Sequence, residues 1–138
     1  VGGRSTAVRM LGYVPHDEAV ALMRSADLLF LPMQNLADGA HVGIVPGKTY
    51  EYMASGTPIL AAVPPRDVRD FLTAAGTAFV CDPADVGAMK AILREQVRRK
   101  LAGEPPPAHN RAAIARFERR RLTEHLAGLF DRVVAGVA

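Results

Sequence analysis

Residues 46–63 read PGKTYEYMASGTPILAAV and combine a helix with a buried strand in one short stretch. Pro46 suits the first helical position, because its missing N–H would have no partner there. Gly56 suits the residue just past a helix end. The apolar run at residues 59–63 is typical of a strand buried on both faces of a parallel sheet. The stretch therefore predicts a helix of about ten residues, beginning at Pro46 or Gly47, and then a strand.

Short apolar runs recur along the chain and are separated by segments with helical spacing. The runs predict parallel strands at about residues 8–11, 28–31, 58–63 and 78–81. Between them, Asp17 and Asp85 are predicted to cap helices, and residues 67–75 form a helix that Gly76 ends. The helix after Asp85 is expected to carry its apolar face on Val86, Met89, Leu93 and Val97. The alternation predicts an α/β fold, with a three-layer Rossmann-like parallel sheet flanked by helices.

The proline run at residues 104–107 interrupts this alternation and predicts an extended connector. Beyond it, Asn110 can cap a short helix. A longer helix follows, with an apolar stripe on Leu122, Leu126, Leu129, Phe130 and Val133. We therefore divide the chain into a Rossmann-like domain over residues 1–103 and a connector with a C-terminal helix over residues 104–138. The stripe is expected to be covered by a partner or to remain exposed.

Composition is that of a globular domain. The 138 residues suit one domain, 49% are hydrophobic and 22% are charged. No apolar run approaches the ~20 residues needed to cross a bilayer, and the N-terminus lacks a signal-peptide core. The lone Cys81 cannot form an internal disulfide, and its place in an apolar run predicts a buried, inert thiol. These features favour a cytoplasmic protein, and the absence of an initiator Met predicts a fragment.

Basic residues are concentrated between residues 94 and 121, although the net charge is only +3. A nucleic-acid surface would interleave aromatic residues for stacking, and only Phe117 falls in this stretch. We therefore expect no nucleic-acid partner; a solvated helix face, or a surface for another domain or anionic lipid, fits better. No cysteine pair or paired-histidine spacing predicts a metal site. His16 and His41 are interpreted as loop residues, and His109 and His125 as solvated side chains. Asp27 and Asp38 are interpreted as structural.

The helix that begins near Gly47 carries the chemistry that points to a ligand. A helix N-terminus offers free amide hydrogens and the positive end of a dipole, which favour a phosphate. Gly47 lets a ligand approach the backbone, Lys48 adds a positive charge and Thr49 could add a hydroxyl donor. Glu51 lies one turn beyond Gly47 and could accept hydrogen bonds from the two hydroxyls of a ribose. Together they suit a nucleoside diphosphate.

The alternative is an ordinary surface helix, in which Lys48 is solvated and Glu51 pairs with a nearby basic side chain. A single glycine and lysine at a helix start occur by chance in many proteins. The segment is not a Walker P-loop, because no G-x-x-x-x-G-K-[ST] is present. From these residues alone, the two interpretations stay open.

Three segments in register resemble the C-terminal domain of GT-B retaining glycosyltransferases of family 4. They are LGYVP at residues 11–15, MRSADLLFLP at residues 23–32 and PGKTYEYMASGTPIL at residues 46–60. The resemblance covers most of the chain, from about residue 8 to the last helix. It implies that residues 1–103 belong to a nucleotide-sugar-binding domain whose first βα units are missing, and that the last helix crosses onto an absent acceptor-binding domain.

The resemblance also implies roles for individual residues. Glu51 would hold the ribose, amides around Gly47, Lys48 and Thr49 would hold the diphosphate, and the loop Gly12, Tyr13 and Val14 would line the base pocket. Gly43, Ile44 and Val45 would lie near the donor sugar. The family often has a glutamate at the position of Gly43, so this chain departs from the pattern in donor-sugar recognition. No catalytic residue is assigned.

The activity implied is retaining transfer of a sugar from a nucleotide diphosphate sugar to a saccharide or lipid-linked acceptor, in polysaccharide or glycoconjugate biosynthesis. No metal is expected, because the amides, the helix dipole and Lys48 would neutralise the phosphates. No other cofactor is expected either, since the nucleotide sugar is a substrate. Expected partners are the donor, the missing acceptor domain, another copy through the C-terminal helix, and the inner face of the membrane. The isolated chain is expected to be inactive. The alternatives are a GT-B-fold sugar-nucleotide 2-epimerase and a non-catalytic nucleotide-binding or interaction module.

Overall fold

The computed structural model describes residues 7–35 and 44–136. Short strands alternate with helices over the first hundred residues, and two helices follow. The strands are β1 (Leu29–Pro32), β2 (Ile59–Ala62) and β3 (Ala78–Cys81). The helices are α1 (His16–Ser25), α2 (Gly47–Ser55), α3 (Asp67–Ala75), α4 (Val86–Leu101), α5 (Arg111–Ala115) and α6 (Arg119–Gly136).

The described strands form one parallel sheet in the order β1-β2-β3. Leu29 pairs with Ile59, which pairs with Ala78. The central strand is buried at all four positions, because neighbouring strands and helices cover both its edges and both its faces. The predicted α/β fold with a parallel sheet between helices is confirmed.

The core lies on the two faces of this sheet. On one face, Leu31, Ile59 and Ala61 pack with the buried residues of α2 and α3, and with parts of α1 and α5. On the other face, Leu60, Ala62 and Cys81 pack against α4. The side of α4 that faces the sheet carries the partly buried Ala88, Met89 and Ile92. Among the described residues, α4 therefore covers one face, and α2 and α3 lie together on the other.

The predicted strand at residues 8–11 is wrong, since these residues form neither helix nor strand. Val8 and Met10 are 65% and 88% exposed. An apolar run becomes a strand only where a neighbour takes its backbone hydrogen bonds. Within residues 7–35 and 44–136, no strand pairs with this run.

Several predicted helix ends are confirmed by their hydrogen bonds and dihedral angles. Asp85 and Asn110 accept hydrogen bonds from the backbone N–H three residues on, at 2.8 and 3.1 Å. Gly56 and Gly76 end α2 and α3 in the left-handed conformation, with φ of 80° and 67°. Such a φ strains any residue with a Cβ, so glycine suits both positions.

Two predictions about helices are wrong. Asp17 does not cap α1: the helix begins one residue earlier, after Pro15, and no side chain caps it. Proline fixes φ and here starts the helix before the aspartate. The expected apolar face of α4 is also rotated, because Leu93 and Val97 are 46% and 57% exposed.

The C-terminal segment contacts the α/β core and then leaves it. Asn110 N–H donates to the carbonyl of Ala75 at 2.9 Å, and Phe117 lies against Tyr50 and Phe71. The predicted apolar stripe of α6 is exposed in this chain, which is one of the two outcomes expected for it. The side chains of the stripe are 44–59% exposed: Leu122, Leu126, Leu129, Phe130 and Val133. No helix in the described part of the chain is long and apolar enough to span a membrane.

Candidate functional site

The carboxyl ends of β1, β2 and β3 meet at one edge of the sheet, here called the carboxyl edge. The connections that leave this edge lead into α2, α3 and α4 respectively. Each of these helices therefore directs its N-terminal amides and the positive end of its dipole toward the carboxyl edge. In open α/β sheets, ligands bind outside the carboxyl ends of the strands.

The start of α2 leaves backbone amides accessible at this edge. Pro46 precedes the helix with φ −59° and no side chain caps it. Gly47 and Lys48 are both exposed, and a Cβ at Gly47 would meet no atom within 4 Å. The open space at Gly47 leaves room for a ligand to approach the first turn.

Glu51 shares the exposed side of α2 with Gly47. The buried residues of the helix are Thr49 and Met53, and at 100° per residue Glu51 points almost opposite to them. Glu51 and Gly47 are one turn apart, or ~6 Å along the axis. Within the described residues, neither Glu51 nor Lys48 forms an ion pair or a side-chain hydrogen bond. The ion pair between Glu51 and a basic side chain, which the ordinary surface-helix interpretation requires, therefore does not form among the described residues.

Thr49 is separated from this exposed group. Its side chain is fully buried, and its hydroxyl has no hydrogen-bond partner in the part of the chain that the structure describes. Its backbone N–H donates to the carbonyl of Pro46 at 2.9 Å. The structure therefore brings Gly47, Lys48 and Glu51 to one surface and turns the Thr49 side chain inward.

The other predicted ligand-binding residues lie in two loops. Gly12 has φ 69° and Tyr13 is 98% exposed, so the loop of residues 12–14 forms no enclosed base pocket within the described residues. Of the residues predicted near the donor sugar, Gly43 lies outside the described residues, as do His41 and Asp38. Ile44 is 71% exposed, whereas Val45 packs against the core.

Two polar contacts at the carboxyl edge were missed from the sequence. The guanidinium of Arg69 donates to the carbonyls of Val63 and Cys81, at 2.6 and 3.2 Å. Asn35 donates to the carboxylate of Asp82 at 3.2 Å, which ties the segment after β1 to the end of β3. Arg69 stands between the buried Val68 and Leu72 on an amphipathic helix. That is the only signal that could have suggested it faces inward.

Cys81 is buried, as predicted. Burial raises the pKa of its thiol, and the nearby Asp85 carboxylate raises it further. A raised pKa keeps the thiol protonated and unreactive. The thiol therefore has a packing role in the core, with Leu60 and Ala62, next to the carboxyl edge.

The histidine predictions need two corrections. His16 is the first residue of α1, not a loop residue. His109 is only partly exposed, and its Nδ1 is buried without a partner among the described residues, because the connector packs against α3. In the described part of the chain, no three His, Cys, Asp or Glu side chains are placed to hold a metal ion.

A cavity of about 520 Å³ lies at the opposite edge, where the strands begin. The C-terminal ends of α1, α2 and α4 line it, and these carry the negative ends of the helix dipoles. Two of the basic side chains that line it are engaged with local acids: Lys100 pairs with Asp27, and Arg99 pairs with Glu104 at 3.1 Å. The prediction that Asp27 is structural is consistent with this pair.

The chain was compared with known protein families, curated proteins and solved structures. The family model described as "Glycosyl transferases group 1" matches residues 3–113, which is well over half of the 138-residue chain. The matched range contains all three strands and the first turn of α2. No curated protein and no solved structure gave a significant match.

Proposed function

Because the chain belongs to the glycosyl transferases of group 1, we propose that the first turn of α2 binds the diphosphate of a nucleotide-sugar donor. The observation that carries this proposal is the group formed by Gly47, Lys48 and Glu51 on one exposed side of α2. Accessible amides, a cation and a carboxylate one turn away match the order of groups in a nucleoside diphosphate. Gly47 and Lys48 lie in the first turn of α2, which faces the carboxyl edge, and Glu51 lies one turn further along the helix.

Each residue has a part in binding. The amides at Gly47 and Lys48 donate to phosphate oxygens, and the Lys48 ammonium offsets their charge. The Glu51 carboxylate accepts hydrogen bonds from the vicinal hydroxyls of the ribose. A carboxylate can accept both, since it has two oxygens and no donor of its own.

The same groups would assist sugar transfer in the whole protein. As the bond between the anomeric carbon and the diphosphate oxygen breaks, its electron pair goes to that oxygen. Amides, helix dipole and Lys48 stabilise the negative charge that develops on the departing diphosphate. The acceptor's hydroxyl oxygen forms the new bond to the anomeric carbon, and its proton goes to the departing diphosphate. Transfer proceeds with retention to a saccharide or lipid-linked acceptor that a separate domain binds, as the family resemblance implies.

An NMR titration of the chain with UDP, GDP and ADP tests the binding site. We expect one of them to shift the amide signals of Gly47 and Lys48 most strongly, and inorganic pyrophosphate to shift the same signals at higher concentration. Lys48→Met should weaken diphosphate binding by about three- to tenfold, whereas the control Lys90→Met, on α4, should not change it. Shifts confined to the opposite edge, or no binding of any diphosphate, would contradict the proposal.

A further inference from the structure

Arg69 places a positive charge at the carboxyl edge, although it belongs to the first turn of α3. One terminal nitrogen lies 2.6 Å from the Val63 carbonyl oxygen and 3.2 Å from that of Cys81. Val63 directly follows β2, and Cys81 is the last residue of β3. The guanidinium therefore lies across the ends of two adjacent strands.

This charge has no carboxylate partner within residues 7–35 and 44–136. The Nε of Arg69 is buried without a hydrogen-bond acceptor. The two acids that follow β3 have other donors: Asp82 accepts from Asn35 and Ala84, and Asp85 accepts from Ala88. A partly buried cation without a counter-ion favours an anion nearby.

The ends of parallel strands present carbonyl oxygens, and these oxygens disfavour an anion at the carboxyl edge. Arg69 occupies the carbonyl of Val63, shares the carbonyl of Cys81 with the backbone N–H of Val63, and adds a full positive charge. Since α2 and α3 lie on the same face and contact each other, Arg69 and the first turn of α2 are on one side of the sheet. The guanidinium lies between β2 and β3. It is therefore one and a half strand spacings from β1, or ~7 Å measured across the sheet.

We propose that Arg69 is a positioning residue for the donor diphosphate: it holds the carbonyls of Val63 and Cys81 away from the phosphates and makes the carboxyl edge electropositive. This inference rests on the proposed diphosphate site at α2. Arg69 acts on the anion without touching it, through the electrostatic field of its charge and by holding the two carbonyls in place. Lys48 and the amides contact the phosphates.

The test separates the charge of Arg69 from its contribution to stability. Binding of the preferred nucleoside diphosphate and of the matching nucleoside is measured by NMR titration for wild type, Arg69→Met and Arg69→Lys. Thermal unfolding of each variant is measured in parallel. Arg94→Met controls for net charge, because it removes from the middle of α4 an exposed cation that forms no ion pair with any other described residue.

We expect Arg69→Met to weaken diphosphate binding by about tenfold and to leave nucleoside binding within about twofold. Arg69→Lys should retain most of the preference for the diphosphate, and Arg94→Met all of it. A role in folding alone would lower the melting temperature of Arg69→Met and leave the ratio of the two affinities unchanged, which would overturn the inference. If the wild type binds diphosphate and this ratio does not change, only the role of Arg69 falls. If the wild type binds no diphosphate, the proposed function falls as well.

Discussion

The Phe117 ring packs against the Phe71 ring, with centroids 4.9 Å apart and the planes tilted by 55°. Phe117 lies beyond the connector and Phe71 lies on α3, so this contact fastens the C-terminal segment to the α/β core. The Tyr50 ring of α2 lies 5.2 Å from Phe117 on the same side. The three rings thus join α2, α3 and the end of α5.

Replacing Phe117 by Ala should destabilise the chain. The ring is partly buried, so the loss is roughly 2 kcal/mol, less than for a fully buried phenylalanine. Urea unfolding followed by circular dichroism measures it. Phe130→Ala is the control, because Phe130 is 59% exposed on α6; it should change stability by less than about 0.5 kcal/mol. Equal effects of the two substitutions would contradict the described packing.

Capping provides a second test. Asp85→Ala removes the acceptor of the Ala88 N–H at the start of α4 and should cost about 1 kcal/mol of unfolding free energy. Asp85→Ser should recover most of this loss, because serine also caps. Asp17→Ala is the matched control, since Asp17 lies in the first turn of α1 without capping it. An equal loss in Asp17→Ala would mean that α1 begins at a different residue.

The acids around Arg98 give a pH-dependent prediction. A hydrogen bond from Arg98 lowers the pKa of Glu104 below its ordinary value of 4.5, and likewise lowers that of Glu95. Because the folded-state pKa is the lower one, the stabilisation is present above pH 4.5 and is lost as the pH falls through the folded-state values. All three groups are exposed, so the effect on stability is small.

Carbon-detected NMR of the Glu104 carboxyl measures this shift directly. In Arg98→Met, the pKa of Glu104 should rise toward 4.5, because its strongest hydrogen-bond donor is gone. Arg94→Met leaves the pair intact and should not move it. An identical titration in wild type and Arg98→Met would show that the pair does not form in solution.

Local signals in the sequence predicted where the helices and three of the strands lie, although not the cap of α1 or the buried face of α4. Gly56, Gly76, Asp85 and Asn110 act within three or four residues of themselves, so their effect can be inferred from their neighbours alone. The run at residues 8–11 failed for the opposite reason. A strand depends on a partner elsewhere in the chain, and an apolar run does not reveal whether that partner is present.

The candidate site likewise combines features that the sequence predicts locally with contacts that depend on distant residues. The grouping of Gly47, Lys48 and Glu51 follows from the period of one helix, so the sequence was sufficient to predict it. The inward turn of Thr49 depends on which side of α2 meets the core. The contact of Arg69 with Val63 and Cys81 spans six and twelve residues and two strand ends. No local pattern specifies a contact of that kind.

If Glu51 binds the ribose of a nucleotide held at the start of α2, its loss should remove the preference for ribose over deoxyribose, and a comparison of two ligands tests this most directly. The affinities of the preferred nucleoside diphosphate and of its 2′-deoxy counterpart are measured by calorimetry for wild type, Glu51→Gln and Glu51→Ala. Asp131→Ala, which removes an exposed carboxylate from α6, is the control. Hydrogen bonds to a charged group contribute roughly 1.5–3 kcal/mol. Glu51→Ala should therefore weaken binding by about tenfold or more and abolish the preference for the ribose ligand, with Glu51→Gln intermediate and folding stability little changed. Unchanged affinity in Glu51→Ala, or an unchanged preference for ribose over deoxyribose, would contradict the account.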